Sequence, residues 1–263
     1  MLNRRRFLGN LCAVTAGASL LAKTGGAMPH SALGSGDDKE KIALLLKAGT
    51  PNKWLFTGDS ITQGAKHTHG MRSYVEIFSE RIRWELGRVR DAVINTAVSG
   101  NTSRDLIEDI EWRLLQYKPQ AVFIMLGTND AVVQKDVPVE LFQRNIRTLV
   151  ERVRGINAVP VLLSPNPIVE AKAPERAALR NYIQALRETA GSASVTLVDV
   201  WDKWNTELAK KYKGLQEDQL LNDPLHPNGR GHREIAMMLF RSLSIFNEKD
   251  PTCGGEYYEN KNW

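Results

Sequence analysis

The chain has 263 residues, is 42% hydrophobic and 25% charged, and carries a formal net charge of +5. These proportions fit one folded domain with a substantial core and exclude a disordered, collagen-like or disulfide-stapled chain. The basic excess is local: Arg4, Arg5, Arg6 and Lys23 lie among the first 27 residues, which hold no acid, and without them the basic residues barely outnumber the 30 acidic ones. No concentrated basic surface is left for a nucleic acid.

In chain order, residues 1–6 are basic, residues 7–22 are uncharged and mostly apolar, and Gly25-Gly26-Ala27 supplies the small residues of a cleavage step. Residues 1–27 therefore read as an export signal with the periplasm or the cell exterior as destination. The stretch Asn3-Arg4-Arg5-Arg6-Phe7-Leu8-Gly9 resembles the twin-arginine motif. The apolar run falls short of the roughly 18 residues of a spanning helix, and Asn10 interrupts it, so no stable membrane anchor is expected. Cys12 lies inside the signal and Cys253 stands alone behind it, which rules out an internal disulfide in the mature chain. Residues 28–38 read as a polar linker, residues 39–247 as the folded domain, and residues 248–263 as a surface tail whose Tyr257, Tyr258 and Trp263 suit a binding rim.

Within the domain, short apolar runs at 53–57, 92–97, 120–126, 159–164 and 195–200 predict buried strands. Helical patterns lie between them. Leu106, Ile107, Ile110, Leu114 and Leu115 share a face after a Ser103 cap, with Pro119 as the stop. Phe142, Ile146, Leu149, Val150 and Val153 follow Pro138, and Leu179, Tyr182, Ile183 and Leu186 follow Pro174. Ile235, Met238, Leu239, Leu243 and Phe246 complete a last helix. Strands alternating with helices imply a parallel sheet covered on both faces, an α/β fold of the three-layer α/β/α sandwich type.

Ligands of open parallel sheets sit beyond the carboxyl ends of the strands. There the sequence reads Gly58-Asp59-Ser60-Ile61-Thr62 after the first strand, Val98-Ser99-Gly100-Asn101 after the second, and Gly127-Thr128-Asn129-Asp130 after the third. A serine in a tight turn, a glycine N–H and an asparagine amide are a nucleophile and two oxyanion donors. A serine hydroxyl is inert near neutral pH without a base to take its proton. Asp223-Pro224-Leu225-His226-Pro227 supplies base and orienting acid at a three-residue offset, with both prolines keeping the segment out of regular helix. The helix that follows turns its positive end toward His226 and favours the neutral ring.

Gly58-Asp59-Ser60, Gly100, Gly127-Thr128-Asn129-Asp130 and Asp223-Pro224-Leu225-His226 resemble the four sequence blocks of the SGNH hydrolases, also called GDSL esterases and lipases. The resemblance implies a flavodoxin-like five-stranded parallel sheet of order 2-1-3-4-5. It further implies a triad of Ser60, Asp223 and His226, and an oxyanion hole formed by the Ser60 N–H, the Gly100 N–H and the Asn129 amide. Ile61 replaces the leucine of the family name without touching a catalytic role. The Gly-Asp-Ser-Ile-Thr form and modest length look closest to secreted carbohydrate esterases and small acetylhydrolases, with a small-molecule or oligosaccharide ester as substrate.

Two other functions compete: a lysophospholipase or thioesterase acting on longer acyl chains, and a non-catalytic glycan-binding module, which would not require the complete catalytic set. No phosphate-binding or dinucleotide-binding glycine motif occurs, and ester hydrolysis of this kind needs no cofactor and no metal. His67-Thr68-His69 has the look of a solvated loop at the cleft mouth, with no second ligand cluster to support a metal. Pro165-Asn166-Pro167 and Trp201 are expected to line the substrate side, and Trp54, Trp84 and Trp112 to pack in the core or between helices.

Overall fold

A computed structural model describes residues 37–250. The expected export signal, most of the expected linker and the aromatic end of the expected tail lie outside the described residues. Five strands, β1 (Lys53–Gly58), β2 (Ala92–Asn95), β3 (Ala121–Met125), β4 (Val159–Leu163) and β5 (Thr196–Val198), form one parallel sheet in the order β2-β1-β3-β4-β5. β1, β3 and β4 are buried along almost their whole length, which is why they read as unbroken apolar runs. β2, on the edge, is half-exposed.

Alternation along each strand sorts the core into two layers. Trp54, Phe56, Phe123 and Met125 face α1 (Asp38–Lys47), α3 (Tyr74–Glu80) and α11 (Gly229–Ser242). Leu55, Val122, Ile124 and Leu162 face α4 (Ser103–Glu108), α6 (Val139–Gly155) and α7 (Leu179–Ser192). The first layer is aromatic: Phe56 stacks on Phe123 at 4.3 Å, a pairing set by their direct register, and Phe78 meets Phe56 edge-on at 4.9 Å. Full burial of each such ring contributes roughly 1.5–3 kcal/mol. Short helices α2 (Ser60–Gln63), α5 (Ile110–Arg113), α8 (Val200–Lys203), α9 (Ala209–Lys211) and α10 (Gln216–Leu220) complete the chain. Among the described residues no helix is long and apolar enough to cross a membrane.

Several local expectations are corrected. The helix after β2 is capped by Thr102, not Ser103, through a reciprocal box with Asp105, and it breaks at Asp109 before α5 begins. The break turns Arg113 inward to donate to Thr96 O, Gly58 O and the Thr57 and Asn101 side chains. The last helix ends at Ser242, so Leu243 and Phe246 pack from beyond its end. Two short 3₁₀ turns, Glu170–Lys172 and Pro174–Arg176, precede α7, which starts only at Leu179. Trp84 and Trp112 are 78% and 67% exposed rather than packed; Trp84 lies in a π-helical turn, Arg81–Glu85, that extends α3. Trp54 is buried as expected. α1 and α3 were not anticipated. α1 opens on an Asp37 cap, and its buried Asp38 accepts from Arg154 at 3.1 Å. The start of the tail meets the body through an ion pair of Asp250 with Arg81.

Candidate active site

β1 ends at Gly58, where an added Cβ would lie 2.2 Å from Met125 O, so only glycine lets β1 and β3 close at this point. The next residue, Asp59, is fully buried and caps α2 by accepting from the Ile61 N–H at 3.0 Å. That cap sets Ser60 as the first residue of a one-turn helix beyond the sheet, 8% exposed. Burial pushes the Asp59 carboxyl up to about 7, with the Ile61 N–H opposing and nearby Asp130 reinforcing the rise. Asp130 is likewise raised by burial, to about 6, although Ser103 donates to it.

The strand-end loops are tied to one another. Asn95 Nδ2 donates to Thr62 O at 2.8 Å, the Ser103 N–H to Asp130 Oδ1 at 2.8 Å, and Arg113 Nη2 to Gly58 O at 2.9 Å. Gly100 sits at φ +80°, in the left-handed region, in the turn after β2. Asn129, 7% exposed, donates from Nδ2 to Asn101 O at 3.1 Å. A primary amide has two protons, so one remains for a ligand.

His226 reaches Ser60 from the far end of the chain, with Oγ and Nε2 2.8 Å apart. Its Nδ1 lies 2.7 Å from Asp223 Oδ2 and 2.9 Å from Oδ1. Asp223 Oδ1 also accepts from the Leu225 and His226 N–H groups at 2.8 and 2.9 Å, so the acid folds back on its own backbone. Burial alone would raise the Asp223 carboxyl, but those N–H bonds and His226 hold it below the usual carboxylate range. The loop is braced by a Leu221–Pro227 bridge and by the Asn222 N–H to His226 O. Asn228 then caps α11, two residues past His226. An added Cβ on Gly231 would lie 2.3 Å from Leu220 O, so the first turn of α11 can press against the loop's root.

All the candidates from the four blocks therefore gather at one end of the sheet, with Ser60, His226 and Asp223 in one continuous relay. Two expectations fail. Pro165, Asn166 and Pro167 are buried, and Asn166 braces the base loop by donating to Leu225 O at 3.0 Å; Trp201 is buried in the aliphatic layer. His67 is not simply solvated: its ring lies flat on His226, with centroids 3.4 Å apart and planes at 5°, and its Nδ1 is 3.5 Å from Asp223 Oδ2. His69 turns elsewhere, to Asn222 at 3.0 Å.

His67, Asp223 and His226 bring potential ligand atoms within 4.8 Å of one another. The parallel rings do not suit a shared ion, because each imidazole lone pair lies in its own ring plane and the planes do not converge. His232, within α11, was also missed: it is fully buried, accepts from the Tyr74 N–H at 3.3 Å, and is depressed to about 3 by burial, then by His226 and His67.

A parallel sandwich with a serine–histidine–aspartate relay at its strand ends defines the class of a serine ester hydrolase. The chain belongs to the GDSL-like lipase/acylhydrolase family, whose model matches residues 56–234. It is 27% identical to an acetylxylan esterase of Geobacillus stearothermophilus over 217 residues, 76% of this chain and 97% of that protein. It is 23% identical over 202 residues to thioesterase 1/protease 1/lysophospholipase L1 of Escherichia coli strain K12, covering 77% and 88% of the two chains. A mutant of the acetyl-xylooligosaccharide esterase from the same Geobacillus species superposes with a TM-score of 0.63 at 26% identity, over 74% of this chain and 95% of that one. The chain is thus an acyl esterase.

Proposed function

We propose that this protein is an exported esterase that removes short acyl groups, above all acetyl, from carbohydrate through an acyl-enzyme intermediate. The observation that carries the reading is the unbroken relay from Ser60 Oγ through His226 to Asp223. Similarity to an acetylxylan esterase over nearly that protein's whole length supports the acetyl and carbohydrate parts. The basic and apolar opening of the sequence supports export.

In this mechanism His226 Nε2 takes the Ser60 proton as Oγ attacks the ester carbonyl. The tetrahedral oxyanion is held by the Ser60 and Gly100 N–H groups and the second proton of the Asn129 amide, donors worth most where charge develops in the transition state. His226, now an imidazolium facing the ionised Asp223, returns its proton to the leaving sugar alkoxide. Water, deprotonated by His226, then attacks the acyl-serine, and the carboxylic acid departs with Ser60 regenerated.

The test is a series of nitrophenyl esters from acetyl to decanoyl, run beside acetylated xylooligosaccharides. The reading expects kcat/KM to be highest at acetyl and acetate to be released from the oligosaccharides. A maximum at decanoyl overturns it in favour of the lysophospholipase or thioesterase function, and sugar binding without turnover leaves only a glycan-binding module.

A further inference from the structure

The stacked ring over the base is the feature that the mechanism leaves unused. His67 belongs to the loop that leaves α2 through Gly64, a left-handed turn, and its ring meets His226 face to face at 3.4 Å. Its Nδ1 approaches Asp223 Oδ2 to 3.5 Å, the same oxygen that lies 2.7 Å from His226 Nδ1. Asp223 therefore faces two imidazoles, one at full hydrogen-bond distance and one at a longer electrostatic contact. Both rings belong to loops, and the His226 ring is held at its edge by Ser60 and Asp223.

We propose that His67 is a positioning residue for the general base: its flat ring clamps the face of His226 so that Nε2 stays aimed at Ser60, and its Nδ1 side shares the Asp223 carboxylate. This inference rests on the serine-esterase reading above. A base displaced by an ångström or a few tens of degrees loses much of its rate advantage, so a wall against the free face of the imidazole acts on turnover rather than on substrate affinity. The stack also demands that His67 be neutral while His226 carries the proton, since two imidazolium rings 3.4 Å apart lie far inside the screening length of about 8–10 Å.

The surroundings meet that demand. Burial lowers His67 first, and His226 and Lys66 push in the same direction, against Asp223, which raises it. The buried His232 of α11 is also held neutral by burial, with His226 and His67 acting in the same direction. On the open side, His67 lines a cleft of about 470 Å³ together with His69, Asp218, Asn222 and Arg230.

The test compares His67→Phe, which keeps a flat ring but loses the nitrogen, with His67→Ala, which loses both. Each is assayed on nitrophenyl acetate from pH 5 to 9, with melting temperature as a fold control and Ser60→Ala and His226→Ala alongside. His67→Ala is expected to lower kcat about tenfold with KM little changed, within the range general-base positioning commands. His67→Phe should recover most of that loss. In both variants the acid limb of kcat/KM should move to higher pH, because Asp223 then faces one imidazole instead of two. If both variants keep wild-type kcat and superimposable pH profiles while Ser60→Ala and His226→Ala are inactive, the positioning role is overturned and the esterase reading stands. Equal losses of kcat in the Ala and Phe variants overturn the clamp. Activity retained in Ser60→Ala removes the esterase reading, and the inference with it.

Discussion

Ser60 and His226, the nucleophile and base of the proposed mechanism, are held in opposite ways. Ser60 stands on the sheet itself: β1 delivers it, the buried Asp59 caps its helix, and Arg113 fastens the strand end through Gly58 O. His226 and Asp223 ride on a loop outside the sheet, and the Asp223 side chain is 36% exposed. What secures that loop is backbone bonding within residues 220–228 and single amides such as Asn166 Nδ2 to Leu225 O. The first arrangement draws its precision from core packing, the second from a handful of hydrogen bonds. Substitutions at the sheet end should therefore separate chemistry from stability more cleanly than substitutions in the base loop.

The largest effect expected is at the rigid end. Ser60→Ala should abolish turnover, a loss on the order of a million-fold as for other serine nucleophiles, with little change in melting temperature because the hydroxyl meets His226 and not the apolar core. Steady-state kinetics and thermal unfolding of the same sample check both halves. Asn129→Ala comes next. Loss of an oxyanion donor should cut kcat roughly 100- to 1000-fold with KM little changed. A destabilised protein with wild-type turnover below its melting point would instead make Asn129 only a fastener of the Asn101 turn.

The smallest effect concerns the buried acid beneath the nucleophile. With Asp59 raised to about 7 in the folded chain against 3.8 unfolded, the native state holds a proton that the unfolded chain has released between about pH 4 and 7. Stability contributed by that proton is present at low pH and is lost as pH rises through this window. Asp59→Asn keeps an oxygen for the Ile61 N–H and removes the titration. It should flatten this part of the pH dependence and leave the variant more stable than wild type at pH 8, read by urea unfolding at pH 5 and 8. An unchanged difference between the two pH values would show that Asp59 does not titrate as the buried site requires.

Much of this architecture was legible in the residues. The interior strands announce themselves because both of their faces are buried, and the four site blocks could be placed because each follows a strand or precedes a helix. The misses have physical causes. α3 carries its start signal in Ser73 and Glu76, which bond reciprocally at its first turn, but its apolar face is short and runs into a π-helical turn. The break after Glu108 is invisible to periodicity because Arg113, which it turns inward, finds its partners on β1 and in the turn after β2. Trp84 and Trp112 look like core residues by type, and only the local winding turns them outward. His67 was hidden for the same reason. Nothing near Gly64 in sequence reveals that the loop carries an imidazole onto a ring 159 positions later.

Ser60 and His226 are 166 residues apart, and the base directly precedes the final helix. In the proposed mechanism a growing chain thus holds its nucleophile long before it holds the group that activates it. On that mechanism Ser60 is an ordinary alcohol until the loop carrying His226 and the α11 behind it have docked. The contact that switches it on is among the longest loop closures in the fold, and such contacts form late because their entropy is offset only once the intervening sheet is in place. Onset of esterase activity is thereby a reporter of completed folding, and any truncation that removes the last helix and its leading loop leaves a sheet with a mute serine.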